Sequence, residues 1–177
     1  MSTWLTGDLH FYHENIIHYC RRPFSDVREM NGVIASHWAR LVAKDDTIYV
    51  LGDFAFTKDR EYEVAELFNS LPGRKILLKG NHDKTFVLEL KWEAVVWNPL
   101  FLEGAWLCHD GEDMGRTVRD PAVEPVFQSH VHDVWKMRGH RLNMGVDVWH
   151  FRPVSLLDAL DYWTHRWDYY VAHGKDA

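Results

Sequence analysis

The stretch Lys75-Ile76-Leu77-Leu78-Lys79-Gly80-Asn81-His82-Asp83 decides how this chain is read. An apolar run of strand length stops at a glycine, and an amide, an imidazole and a carboxylate follow at once. The arrangement recurs in both directions. Upstream, the β-branched run 47–51 stops at Gly52-Asp53, and a short strand over 3–6 stops at Gly7-Asp8 with His10 two residues on. Downstream, a strand over 105–108 leads into His109, and another over 126–128 leads into Ser129-His130-Val131-His132. In open α/β sheets, ligands bind outside the carboxyl ends of strands, so neighbouring strands of this kind would bring these side chains together.

The segments between them set the fold class. Residues 15–20 suit a short helix, broken by Pro23. Asp26 and Glu29 have capping-box spacing, and Met30, Val33, Ile34, His37, Trp38 and Leu41 recur at helical period, predicting an amphipathic helix to about residue 43. Further helices are predicted over 60–70, stopped by Pro72-Gly73, and over 84–89. Strands are expected over 94–97 and 100–102, a turn at Glu103-Gly104, and a polar loop over 110–125. Residues 141–143 and 146–148 read as strands, and Ser155 caps a final helix to about residue 170. Strand and helix alternate in the first half, and strands dominate the second. This predicts an α/β (α+β layered) fold of two packed mixed sheets flanked by helices. Nothing resembling a linker or repeat divides the chain, so residues 1–177 are expected to form a single domain.

Composition narrows the class. The chain has 177 residues, 46% of them hydrophobic, enough for a core without disulfide support. There is no apolar run long enough to span a membrane, and the first residues lack the pattern of a signal peptide. Only Cys20 and Cys108 are present, so a reducing cytoplasm is the expected location. The net charge of −6 argues against binding long nucleic acid, which needs a basic surface. Oligomeric state is not legible. The nine Trp, seven Tyr and nine Phe are read as packing residues, with Trp163, Trp167 and Tyr170 at helical spacing and Cys108 facing the core. The twelve histidines are the unusual feature.

Carboxylate, imidazole and amide oxygen form a mixed O/N donor set. It suits Mn²⁺, Fe²⁺, Zn²⁺ or Ni²⁺ better than Ca²⁺ or a thiolate zinc site. Seven plausible ligands are too many for one ion. Two ions about 3.5–4 Å apart, sharing a carboxylate, fit the count, and such a pair activates water and clamps phosphoryl oxygens in line.

The ordered set Asp8-Leu9-His10, Gly52-Asp53, Gly80-Asn81-His82-Asp83, His109 and His130-Val131-His132 resembles the calcineurin-like metallophosphoesterase family, in its compact form common in bacteria and their phages. The stretches Asn143 to Trp149 and Arg152-Pro153-Val154-Ser155 fit that compact form. The resemblance implies that Asp8, His10 and His132 hold one metal, that Asn81, His109 and His130 hold the second, and that Asp53 bridges. It implies His82 as the catalytic histidine and general acid, oriented by Asp83 through its ring N–H. Gly52-Asp53 continues as Phe54-Ala55-Phe56, without the arginine of the protein phosphatase branch. Ser129 stands where glycine is usual, and only a modest local change is expected from it. The short interval between His109 and His130 leaves no room for a large cap.

The expected function is a binuclear-metal phosphoesterase. It would use metal-activated hydroxide, with two divalent ions, Mn²⁺ foremost, on a small diester such as a cyclic nucleotide or related nucleotide diester. The alternatives are a phosphomonoesterase or nucleotide pyrophosphatase at the same site, or a silent metal-binding scaffold. His13 and the Arg21-Arg22 pair are open between contact with substrate phosphate and ordinary solvated surface. Asp147 is open between support of the site and a turn.

Overall fold

The computed structural model describes residues 1–56, 58–97, 99–112, 114 and 124–173. The first sheet holds β1 (Thr3–Thr6), β2 (Thr47–Val50), β3 (Arg74–Leu78), β4 (Ala94–Val96) and β10 (Val154–Ser155), in the order β10-β1-β2-β3-β4. β1 to β4 run parallel, and β10 closes the edge antiparallel. The second sheet holds β5 (Leu100–Leu102), β6 (Ala105–Leu107), β7 (Val126–Gln128), β8 (Met137–Arg138) and β9 (Arg141–Asn143), in the order β5-β6-β7-β9-β8. Its centre, β6-β7-β9, is parallel and both edges are antiparallel. This is the expected pair of mixed sheets flanked by helices.

Strand alternation divides the core. Ile48 and Val50 face one side of the first sheet and Leu51 the other. On the first side lie α1 (Glu14–Tyr19), α2 (Val27–Leu41), α3 (Glu61–Ser70) and α4 (Thr85–Leu88). Ile16, Met30, Ile34, Trp38, Val64, Phe68 and Val87 pack there. On the other side Leu5, Leu51 and Leu78 meet Leu107, Phe127 and Leu142 of the second sheet, with Leu156, Ala159 and Trp163 of α5 (Leu156–His173). Each fully buried side chain of this size stabilises the fold by roughly 1.5–3 kcal/mol. Cys108 joins Trp106, Met114 and Val126 on the outer face of the second sheet, as alternation required.

Helix ends follow local chemistry. Asp26 accepts the N–H groups of Arg28 and Glu29, both at 2.8 Å, and caps α2. Glu29 turns back to Ser25 rather than to Asp26. Ser155 accepts the Asp158 N–H at 3.0 Å at the start of α5.

The expected strand over 146–148 is corrected: Val146–Val148 is a 3-10 turn. Three residues alternating Val-Asp-Val suit either form, and Asp147 is turned inward here to meet a buried arginine. The short strands β8 and β10 were not expected. Most of the expected loop over 110–125 and the side chain of Tyr170 lie outside the described residues.

Candidate metal centre

The carboxyl ends of β1, β2, β3, β6 and β7 meet at one place. The segment after β1 lies beside the segment after β2, through Asp8 N–H to Gly52 O (3.1 Å) and His10 N–H to Asp53 O (3.0 Å). Asp8, His10, Asp53, His130 and His132 all have left-handed backbone, with φ between 49° and 72°. Asp and His tolerate this region better than most residues, and here it turns each side chain inward from a strand end. Gly52, at φ +89°, has no room for a side chain: a Cβ would lie 2.7 Å from Gly80 Cα and strike the His109 ring.

Asp53 sits in the middle. Its Oδ2 lies 3.4 Å from His10 Nε2 and 3.6 Å from His109 Nε2. Its Oδ1 accepts the His82 N–H at 2.8 Å, so Oδ2 is the atom that faces both histidines. His109 Nε2 is 2.8 Å from Asn81 Oδ1 and 3.2 Å from His130 Nδ1. His132 Nδ1 is 3.8 Å from Asp8 Oδ2. Asp8, His10 and His132 can bring ligand atoms within 4.8 Å of one another, and so can Asp8, Asp53 and His109.

Both Asp8 carboxylate oxygens, Asp53 Oδ2, His10 Nε2 and His132 Nδ1 are buried without a hydrogen-bond partner. Buried polar atoms left this way are costly, and these converge. Converging lone pairs on two carboxylates and two imidazoles fit divalent cations. The electrostatics agree. Burial works against ionised Asp53, but the close His10 ring and the His109 charge hold its carboxyl well below the usual range. Burial also works against charged His132, yet Asp147, Cys20 and Asp8 lift it to about 10. The negative field that draws a proton there is one that would hold a cation.

Backbone and side-chain clamps keep these groups in place. His109 Nδ1 lies 2.8 Å from Leu51 O; donation there leaves Nε2 with the lone pair. Ser129 does more than expected. Its hydroxyl donates to the same carbonyl and lies 3.0 Å from His109 Nδ1, so it is built into the histidine's support. Asn143, quoted above only as the start of a stretch that fits the compact form and given no role there, donates to His132 O and Trp135 O, both at 2.8 Å.

The structure corrects some expectations and decides others. Asp83 does not orient the His82 ring. Its two oxygens accept the N–H groups of Asp53 (2.9 Å), Phe54 (2.9 Å) and Gly80 (2.8 Å), tying the β2 and β3 ends together. Arg22 is neither a phosphate contact nor solvated: its side chain is wholly buried and paired with Asp147 at 2.8 Å. Asp147 is therefore turned inward, 3.5 Å from His132 Nδ1. Arg21 is the solvated one, 88% exposed and 3.6 Å from Asp133. His13 is half-buried, stacks on Phe56 at 4.7 Å and lies 3.3 Å from His10. Burial, then the neighbouring His10 and His82, push its pKa to about 4, so it is neutral near pH 7.

Asn81 and His82 are exposed, and the His82 ring is 5.5 Å from the His10 ring. Two cavities reach these groups. One, of about 490 Å³, is lined by His10, His13, His82, His130 and His132 with Ile16, Tyr19 and Val134. The other, of about 310 Å³, is lined by Asn81 and His109 with Lys79, Trp97 and Asp110. Trp97 is 66% exposed, and Lys79 Nζ lies 5.7 Å from its ring centre.

Comparison with known proteins places this geometry. The chain is 32% identical over 164 residues to the uncharacterized protein MJ1445 of Methanocaldococcus jannaschii, covering 86% of each. It is 38% identical over 84 residues to the gene 66 protein of Mycobacterium phage L5, covering 46% of this chain and 40% of that one. The crystal structure of AQ665, a protein of unknown function from Aquifex aeolicus, superposes with a TM-score of 0.70 at 26% identity, over 91% of this chain and 98% of that one. Residues 1–175 match one family across both sheets and all the converging side chains, and the chain belongs to it: the calcineurin-like phosphoesterases.

Proposed function

We propose that this protein is a metal-dependent phosphodiesterase acting on a small two-armed ester of nucleotide type, cyclic or linear. The observation that carries the diester preference is the pair of cavities. Each reaches part of the ligand set, one through His10, His130 and His132, the other through Asn81 and His109. A phosphate seated between them has room for a substituent on either side. A monoester would fill only one.

In this reading Asp8, His10 and His132 would hold one divalent ion, Asn81, His109 and His130 would hold a second, and Asp53 would serve both. The ions, Mn²⁺ foremost, supply charge neutralisation at the phosphoryl oxygens and acidify water. The chain's own groups do the rest. Asp53 Oδ1 fixes the His82 backbone, while the His82 ring stays exposed beside the larger cavity. From there it donates a proton to the leaving oxygen. The Asn81 amide faces the same phosphate and binds charge that develops on it. His13, neutral and stacked on Phe56, forms part of the wall and presents a hydrogen bond without a charge.

The net charge of −6 argues for a small substrate over long nucleic acid. Among the described residues no helix is long and apolar enough to cross a membrane, and both cysteines are free. The free cysteines support a reducing compartment, the cytoplasm.

The test is turnover of bis-p-nitrophenyl phosphate against p-nitrophenyl phosphate with Mn²⁺, beside Asp53→Ala, followed by cyclic and linear nucleotide diesters. Faster diester turnover that is lost in the variant is the expected result. Faster monoester turnover would replace this reading with a phosphomonoesterase at the same site.

A further inference from the structure

Arg22 is a buried charged group that the reaction above does not use. Its side chain is fully enclosed. The guanidinium grips Asp147 with two parallel bonds, Nε to Oδ1 at 2.8 Å and Nη2 to Oδ2 at 2.9 Å. Two further N–H groups donate to main-chain carbonyls, Nη2 to Asp8 O at 2.7 Å and Nη1 to Leu9 O at 3.0 Å, and Nη1 also donates to Met30 Sδ at 3.3 Å. Those carbonyls belong to the Asp8-Leu9-His10 turn, in which both ligand candidates have disfavoured left-handed backbone (φ 50° and 51°). Asp147 Oδ2 in turn lies 3.5 Å from His132 Nδ1, a charge contact rather than a hydrogen bond.

We propose that Arg22 and Asp147 form a clasp that positions one half of the metal centre, Asp8, His10 and His132. The fork fits a carboxylate bidentately, which lysine cannot reproduce. With both oxygens held by Arg22, Asp147 is kept from acting as a competing ligand, and the Asp8 oxygens remain the unpartnered ones. A buried ion pair of this kind is weak support for stability, because apolar residues of similar size often serve as well. Its contacts are better explained by aim: each carbonyl it holds belongs to a ligand candidate or its neighbour. The other half, Asn81, His109 and His130, is held by different groups, Leu51 O and Ser129 among them. The clasp should therefore act on one ion and not on the other.

The inference rests on the two-ion reading but not on the identity of the substrate. The experiment is Mn²⁺ titration by calorimetry, with electron paramagnetic resonance to detect the spin-coupled ion pair. It compares the native chain with Arg22→Lys, Asp147→Asn and the apolar double variant Arg22→Met with Asp147→Leu. Melting of the metal-free proteins is followed in parallel. The native chain should bind two ions. In the variants one ion should bind as before and the other roughly 10–100-fold more weakly, the usual range for groups that orient ligands. The double variant should regain melting temperature without regaining the second ion. Unchanged affinity at both sites overturns the clasp alone, and so does recovery of both ions in the double variant. A native chain that binds fewer than two ions defeats the clasp together with the binuclear reading. Where Asp147→Asn does not fold, Arg22→Lys keeps the buried charge and decides the matter.

Discussion

The metal centre has a buried side and an open side, built from the same residue types to different ends. Asp8, His10 and Asp53 are at most 2% exposed, while Asn81 and His82 are open to solvent. The buried side is held from behind by hydrogen bonds to backbone: Arg22 on the Asp8 and Leu9 carbonyls, Asp83 on the Asp53, Phe54 and Gly80 amides. The open side borders both cavities. The difference teaches that a hydrolytic centre divides into groups that must not move and groups that must reach a substrate. The clamps collect on the first kind.

This contrast can be broken most completely at Asp53. Asp53→Ala removes the atom that faces both His10 and His109, and phosphoester turnover should fall to that of the metal-free protein, with both ions lost in titration. His82→Gln tests the open side alone. Turnover should drop roughly 10²–10⁴-fold, the range for a lost general acid, with metal affinity unchanged. Esters with alkyl leaving groups should suffer more than nitrophenyl esters, and a loss of metal would contradict the division. Asp83→Asn tests a clamp with no ligand role. It places an amide NH₂ among three backbone donors, and the loss of charged hydrogen bonds should cost about 2 kcal/mol. In a chain of this size that lowers the melting temperature by roughly 4–8 °C. The smallest effect is expected at Trp97→Ala. Loss of its exposed ring should raise KM for an aromatic diester about 3–10-fold, on the scale of one aromatic contact, and leave the aromatic monoester unaffected.

Which parts were visible in the sequence follows the same division. The converging positions were legible because each stands just after an apolar run, so local pattern and strand register state the same thing. The two-sheet architecture was legible for that reason as well. The clamps were not. Arg22 pairs with a residue 125 positions away, and nothing near Arg21-Arg22 tells which of the two turns inward. The family resemblance implied that Asp83 serves His82, but the turn sends the carboxylate back toward Asp53. Ser129 seemed a minor exchange because its partner carbonyl, on Leu51, lies 78 positions upstream. Local pattern shows where reactive groups stand, and only the folded chain shows what holds them.

The seam between the sheets carries one more consequence. Gly7 and Gly145 meet in a parallel bridge at the edge where the ligands converge, and Val146 N–H donates to Gly7 O at 3.0 Å. A Cβ on Gly7 would lie 2.6 Å from Ser129 Cβ. Asp8 stands on one side of that contact and His130 on the other. A single methyl group at Gly7 would thus be a wedge between the two sheets, and the gap it opens would part Asp8 from His130. The width of one glycine sets how closely the two groups of candidate ligands approach.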